Sequence, residues 1–176
     1  LGKSVLNMFS YTAAFSVAAA MGGAVETTSV DLAKRSRELS TAHFEANGFS
    51  MGNHRLVVMD VFDYFKYAKK KGLSYDLIVI DPPSFARNKK RTFSANKDYH
   101  KLIAQSLDIL SEHGTIIAST NAANMTVQQF KKQLRKGLGD VSADFVNLQQ
   151  LPADFTVNPN DPTSNYLKVY TIKVNK

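Results

Sequence analysis

A chain of 176 residues is long enough to form one domain with a sizeable core, and its apolar fraction of 44% excludes an intrinsically disordered polymer. No apolar run approaches the length of a membrane span. The absence of cysteine excludes disulfides, thiolate metal sites and a cysteine nucleophile and fits a cytosolic setting, while a net charge of +7 favours a polyanion such as RNA as partner.

In chain order, "SVLNMF" at 4–9 predicts a first strand, entered at once with no signal peptide before it, as in a piece of a longer protein. "AAFSVAAAMG" predicts a helix ending at Gly22-Gly23. "AVETTSVD" at 24–31 predicts a second strand. The helix after it is expected to turn Leu32, Leu39, Ala42 and Ala46 to one face. "RLVVMD" at 55–60 predicts a third strand, followed by a helix with Phe62, Phe65 and Ala68 inward and Lys66, Lys69 and Lys70 outward. "YDLIVID" at 75–81 reads as a fourth strand buried on both faces. Tyr99, Leu102, Ile103, Ser106, Leu107 and Leu110 fall at helical spacing. "GTIIAST" at 114–120 predicts strand five, and Val127, Phe130, Leu134 and Leu138 mark one more helix. "DFVNLQQLP" and "YLKVYTIKV" then resemble a hairpin around a loop at 158–165.

Five strand–helix alternations predict an α/β fold with a parallel sheet, whose ligands sit beyond the carboxyl ends of the strands. The residues there are Phe9-Ser10, Asp31, Asp60, Asp81 and Thr120-Asn121. Three of the five strands end in aspartate. An aspartate can simply cap the next helix, but three on one rim would surround one crevice.

The first turn, "FSYTAAFS", has no glycine to let a backbone approach a pyrophosphate, which disfavours a dinucleotide. S-adenosylmethionine has no phosphate and suits the acids better. Asp31 is expected to accept both ribose hydroxyls and Asp60 the adenine amine, with Leu32, Val61 and Phe62 clamping the adenine faces. Phe9, Ser10 and Thr12 are expected along the methionine end. In "DPPSF" the prolines stiffen the exit of strand four, so that Asp81 and the Pro82 carbonyl face the transferring methyl while Phe85 stacks on a planar base. The run Arg87, Lys89, Lys90 and Arg91 is expected to contact RNA phosphates. His43, His54, His100 and His113 are scattered without metal-ligand spacing, and Lys168 reads as a solvated strand end.

"LNMFSYTAAFSVAAAMGGA", "TTSVDLAKRSRELS", "MDVFDYF" and "DPPSFARNKK" resemble the class I methyltransferases of bacterial large-subunit ribosomal RNA, the I/K type, through essentially the whole chain. The resemblance implies a Rossmann-like sheet of seven strands with an antiparallel last strand. It implies that residues 1–176 are the catalytic domain of a protein whose N-terminal PUA and linking domains are absent here. Adenosylmethionine would be held at Ser10, Thr12, Asp31, Leu32, Asp60, Val61 and Asp81 and leave as S-adenosylhomocysteine. Ala13-Ala14 stand where the family has a glycine pair, so their methyls are expected to narrow the pocket or shift the backbone. Asn121 stands where the branch that methylates C5 of cytosine has its cysteine. A base nitrogen, of guanine type, needs no enzyme nucleophile, and Asn121 could fix its edge. A protein amide or small molecule as substrate, or a non-catalytic binding module, are the competing readings. No membrane role is expected, and the oligomeric state is left open, with a homodimer as the candidate assembly.

Overall fold

The computed structural model describes residues 1–88 and 91–176; the expected RNA contacts Lys89 and Lys90 lie outside the described residues. Seven strands form one sheet: β1 (Ser4–Met8), β2 (Glu26–Asp31), β3 (His54–Val58), β4 (Tyr75–Ile80), β7 (Leu110–Thr120), β8 (Ser142–Gln149) and β9 (Lys168–Asn175), in the order β3-β2-β1-β4-β7-β9-β8. The pairings from β3 through β7 are parallel. β9 runs antiparallel to both its neighbours, β7 and β8. The expected sheet with its antiparallel last strand is therefore present, and the two final strands pair as a hairpin.

Alternation along the strands divides the core. Leu6, Met8, Val30, Ile78, Ile80, Ile116 and Ile172 face the helices α3 (Val61–Lys70), α4 (Ala95–Leu107) and α5 (Val127–Leu138). On the other face α1 (Ala14–Met21) and α2 (Ser36–Ala46) pack Val17, Ala20 and Phe44 against the sheet. A two-stranded hairpin, β5 (Phe85–Arg87) with β6 (Thr92–Ser94), projects from the end of β4.

Two expectations are corrected. α2 buries Ser36, Ser40 and Phe44, while Leu32 and Leu39 are exposed and the Ala42 and Ala46 face points outward. Small serines let the helix approach the turn after β1, where Ser40 Oγ donates to Tyr11 O at 3.2 Å. Leu110 is the first residue of β7 and not the end of α4, because the chain turns at Asp108.

The order reverses at β1: β2 and β3 lie to one side, β4 and β7 to the other. Connections diverge at such a point and leave a crevice beyond the strand ends.

Candidate active site

The crevice is a cavity of about 530 Å³, within the range of small-molecule sites. Each of the first four strands delivers one wall: Phe9 and Tyr11 after β1, Asp31 at the end of β2 with Leu32 after it, Asp60, Val61 and Phe62 after β3, and Asp81 and Pro83 after β4. The hairpin adds Ala86, Arg87, Asn88, Arg91 and Phe93.

The first wall depends on an uncommon turn. Phe9, Tyr11 and Ala13 all have positive φ, at 60°, 46° and 59°. For residues with a Cβ each such conformation costs about 1–2 kcal/mol. The surroundings compensate: Ser10 N donates to Val30 O, Ala13 N to Ser10 O, and His43 Nδ1 bonds Thr12 O at 2.9 Å. Ala13 is fully buried among Val17, Ala20 and Phe44 and Ala14 points to solvent. Neither methyl lines the cavity, so the alanine pair does not narrow it. Ser10 and Thr12 do not line it either. Ser10 is buried beneath the turn, and the Tyr11 ring takes the wall position expected of them.

Asp31 fixes this turn to β2. Its Oδ2 accepts from Tyr11 N at 2.9 Å and its Oδ1 from Ala33 N at 2.8 Å. Each oxygen keeps a second lone pair for a ligand. Asp60 caps α3, Oδ1 accepting from Phe62 N at 3.0 Å and Asp63 N at 3.3 Å. Its Oδ2 accepts from Asn88 Nδ2 at 2.7 Å.

Arg91, expected on RNA phosphate, turns inward instead. Its Nη2 donates to Asp63 Oδ1 at 3.1 Å, its Nε lies 3.6 Å from Asp60 Oδ1, and its guanidinium carbon lies 4.6 Å from the centroid of the Phe62 ring. Two carboxylates and an aromatic face at the start of α3 outcompete solvent for a planar cation. Arg87 remains exposed at the rim.

At the other end, burial raises the Asp81 carboxyl above the usual carboxylate range, and a hydrogen bond from the Ser119 side chain partly offsets this. Beneath it Tyr99 is fully buried, its hydroxyl 2.8 Å from both Ile80 O and Ser119 O. Burial, and then the nearby Asp81 charge, push that phenol well above its ordinary value. Pro82 is buried below the surface, so Pro83 forms the wall. Phe85 is 62% exposed outside the cavity. Asn121 also lies outside it and accepts from Ser84 Oγ at 2.8 Å, tying the exits of β4 and β7 together. Lys168, expected in solvent, is 4% exposed, and its ammonium donates to Ala122 O at 2.9 Å and Tyr166 O at 2.8 Å. Desolvation lowers its pKa.

Residues 1–169 match the profile of the S-adenosylmethionine-dependent methyltransferase family. The chain belongs to that family. This methyltransferase chain is 47% identical over 174 residues to YwbD of Bacillus subtilis (strain 168), whose name assigns it provisionally to the ribosomal RNA large subunit methyltransferases; the match covers 98% of this chain and 44% of YwbD. It is 35% identical over 156 residues to ribosomal RNA large subunit methyltransferase K of Neisseria meningitidis serogroup B (strain ATCC BAA-335 / MC58), covering 88% of this chain and 42% of that protein. It superimposes with a TM-score of 0.95 on the crystal structure of SMU.776, provisionally described as a methyltransferase and solved with SAH, at 73% identity over 98% of this chain and 45% of that one. The methyltransferase chain thus spans less than half the length of these relatives.

As a member of this family it uses S-adenosylmethionine, and the cavity suits that molecule chemically. Carboxylates with open lone pairs suit a ribose diol and an amine, and Leu32, Val61, Phe62 and Phe93 suit the faces of a purine.

Proposed function

We propose that this chain, residues 1–176, is the catalytic part of a cytoplasmic methyltransferase that modifies a base nitrogen of large-subunit ribosomal RNA. The carrying observation is that Asp31, Asp60 and Asp81, from the carboxyl ends of β2, β3 and β4, line one cavity in a chain of this family. The names of YwbD and of the Neisseria protein support the choice of RNA.

Bound S-adenosylmethionine supplies an electrophilic methyl on a sulfonium. Asp31, held by two backbone N–H groups, accepts the ribose hydroxyls. Asp60 accepts the adenine amine between Leu32, Val61 and Phe62. Phe9 and Tyr11 border the methionine end, with Ser10 and Thr12 shaping the turn behind them. Asp81 accepts from the edge of the target base, and the buried Pro82 stiffens the backbone beneath it. Phe85, exposed beside the mouth, stacks on that base as RNA docks, and Asn121, through Ser84, holds the exit of β7 against the motif. Arg87 meets a phosphate at the rim. A ring nitrogen has its own lone pair, so these groups need only orient it and exclude water. No cysteine exists to add to a pyrimidine ring.

The test is nucleoside mass spectrometry of ribosomal RNA from cells with and without the gene, beside tritium transfer from labelled cofactor to ribosomal RNA and to protein. A gene-dependent N-methylated base in large-subunit RNA is the expected product. Gene-dependent 5-methylcytidine would refute the nitrogen assignment, and label in protein alone would refute the substrate class.

A further inference from the structure

A strand of the parallel sheet delivers the chain to its carboxyl rim, so the helix that follows starts at the mouth of the cavity and ends on the far side. The helix dipole favours acids in a first turn and cations in a last one. α3 obeys both rules: Asp60 caps it, Asp63 stands in its first turn, and Lys69, Lys70 and Lys71 close it. α2 departs from the first rule. Lys34, Arg35 and Arg37 crowd its start, with Glu38 as the acid of its first turn. All three cations are exposed, and among the described residues none of them has an ion-pair partner. The field of α2 and their mutual repulsion both oppose the run, so folding alone disfavours it.

The run lies at the mouth. Asp31, Leu32 and Ala33, just before it, line the cavity. Beside it stands Tyr11, 59% exposed, whose N–H donates to Asp31 and whose carbonyl accepts from Ser40 of α2. β2 and β4 flank β1 on opposite sides. The run after β2 and the exposed Phe85 and Arg87 after β4 thus border the mouth from two sides.

We infer that Lys34, Arg35 and Arg37 bind phosphates of the RNA that presents the target base, on the β2 side of the mouth. The inference rests on the reading of RNA as the substrate. A base that enters the cavity leaves its neighbours in the strand outside, and their phosphates continue past both rims. A small anion would need converging, desolvated donors. Three solvated cations side by side suit a repeating chain of charges instead. Each releases counterions as it meets a phosphate, and the Tyr11 ring offers a neighbouring base a face to stack on.

The experiment is filter binding of the in vitro transcript of large-subunit ribosomal RNA between about 50 and 200 mM salt. It compares the wild-type protein, a variant carrying Lys34→Gln, Arg35→Gln and Arg37→Gln, and a control carrying Lys69→Gln, Lys70→Gln and Lys71→Gln. Both variants lose the same positive charge, so any effect of net charge is common to them. The control run closes α3, on the side of the sheet away from the mouth. The slope of log affinity against log salt should flatten by about two to three in the α2 variant and by less than about one in the control. Calorimetry with S-adenosylhomocysteine should give wild-type affinity for both variants, which verifies an intact cavity. Equal slopes for the two variants, whether flattened together or both unchanged, would overturn the inference. Loss of S-adenosylhomocysteine binding in the α2 variant would overturn it too, by assigning the run to the cofactor. A wild-type protein that fails to retain the transcript at the lowest salt would instead refute RNA as the substrate, and this inference with it.

Discussion

Tyr99→Phe removes one oxygen and nothing else from the floor of the site. The ring stays edge-on to Phe130, with centroids 4.8 Å apart, so packing is conserved. The hydroxyl is 2.8 Å from Ile80 O and from Ser119 O, the carbonyls just before Asp81 and Thr120. One proton serves one carbonyl at a time, so the net hydrogen bond lost is worth about 0.5–1.5 kcal/mol. A buried carbonyl left without a donor adds about 1–3 kcal/mol. Because the hydroxyl sits between two acceptors, it screens their mutual repulsion, and the sum should fall near 2 kcal/mol, inside the usual range for a broken buried contact. Urea unfolding should show this as a lower midpoint at an unchanged slope. With the strand ends less firmly joined, turnover should fall more than the affinity for S-adenosylhomocysteine. A midpoint that moves by less than about 0.3 kcal/mol equivalent would refute the reasoning, since it would mean that the carbonyls are satisfied without Tyr99.

Asp81→Asn should abolish most turnover yet stabilise the fold at neutral pH. The folded pKa is raised, so the carboxyl's contribution is complete below its unfolded value and lost as pH rises through the folded one. The gain in urea midpoint should therefore be present at pH 7 and vanish below about pH 4; a gain independent of pH would contradict the assignment. Lys168→Met should destabilise the protein by about 1–3 kcal/mol at neutral pH by leaving the Ala122 and Tyr166 carbonyls unpaired. Its folded pKa is lowered, so the unfolded chain holds more protons just below the unfolded value, and wild-type stability should rise between the two pKa values as that of Lys168→Met does not. Equal pH slopes for the two proteins would show that the amine is not desolvated in solution. Arg87→Glu should weaken RNA binding in filter assays and flatten its salt dependence by about one contact while sparing cofactor affinity; an unchanged slope would make the exposed guanidinium a bystander.

The residues that sequence placed best are those whose position follows from strand length and alternation. Asp31, Asp60 and Asp81 end runs of strand-forming residues, and each lines the cavity. Tyr11 was missed because a left-handed turn without glycine leaves no mark in the letters. Asn88 and Phe93 were missed as wall residues because three-residue strands are too short to show a period of two, so the hairpin that folds them over the cavity is silent. Arg91 was expected on RNA phosphate, since its attraction to Asp60, Asp63 and Phe62 exists only once α3 and the hairpin meet. Lys168 fails for the same reason, its acceptors being backbone carbonyls that no composition argument can locate. α2 was given the wrong face because its approach to the sheet uses small serines rather than its leucines.

The place of β9 has a consequence for how the chain assembles. Among the described residues β8 pairs with the sheet through β9, and β9 enters between β7 and β8 although it follows both in sequence. Until residues 168–175 are available, β7 has no partner on that side and β8 has none at all. A ribosome that has synthesised as far as residue 150 has therefore made six strands of this sheet, of which only five can pair, with the Ile116 and Ala118 edge exposed. Closure requires the final segment to add two ladders in one event, so folding of this half should be late and concerted, and a nascent chain stalled short of β9 should be a chaperone client rather than a nearly finished domain.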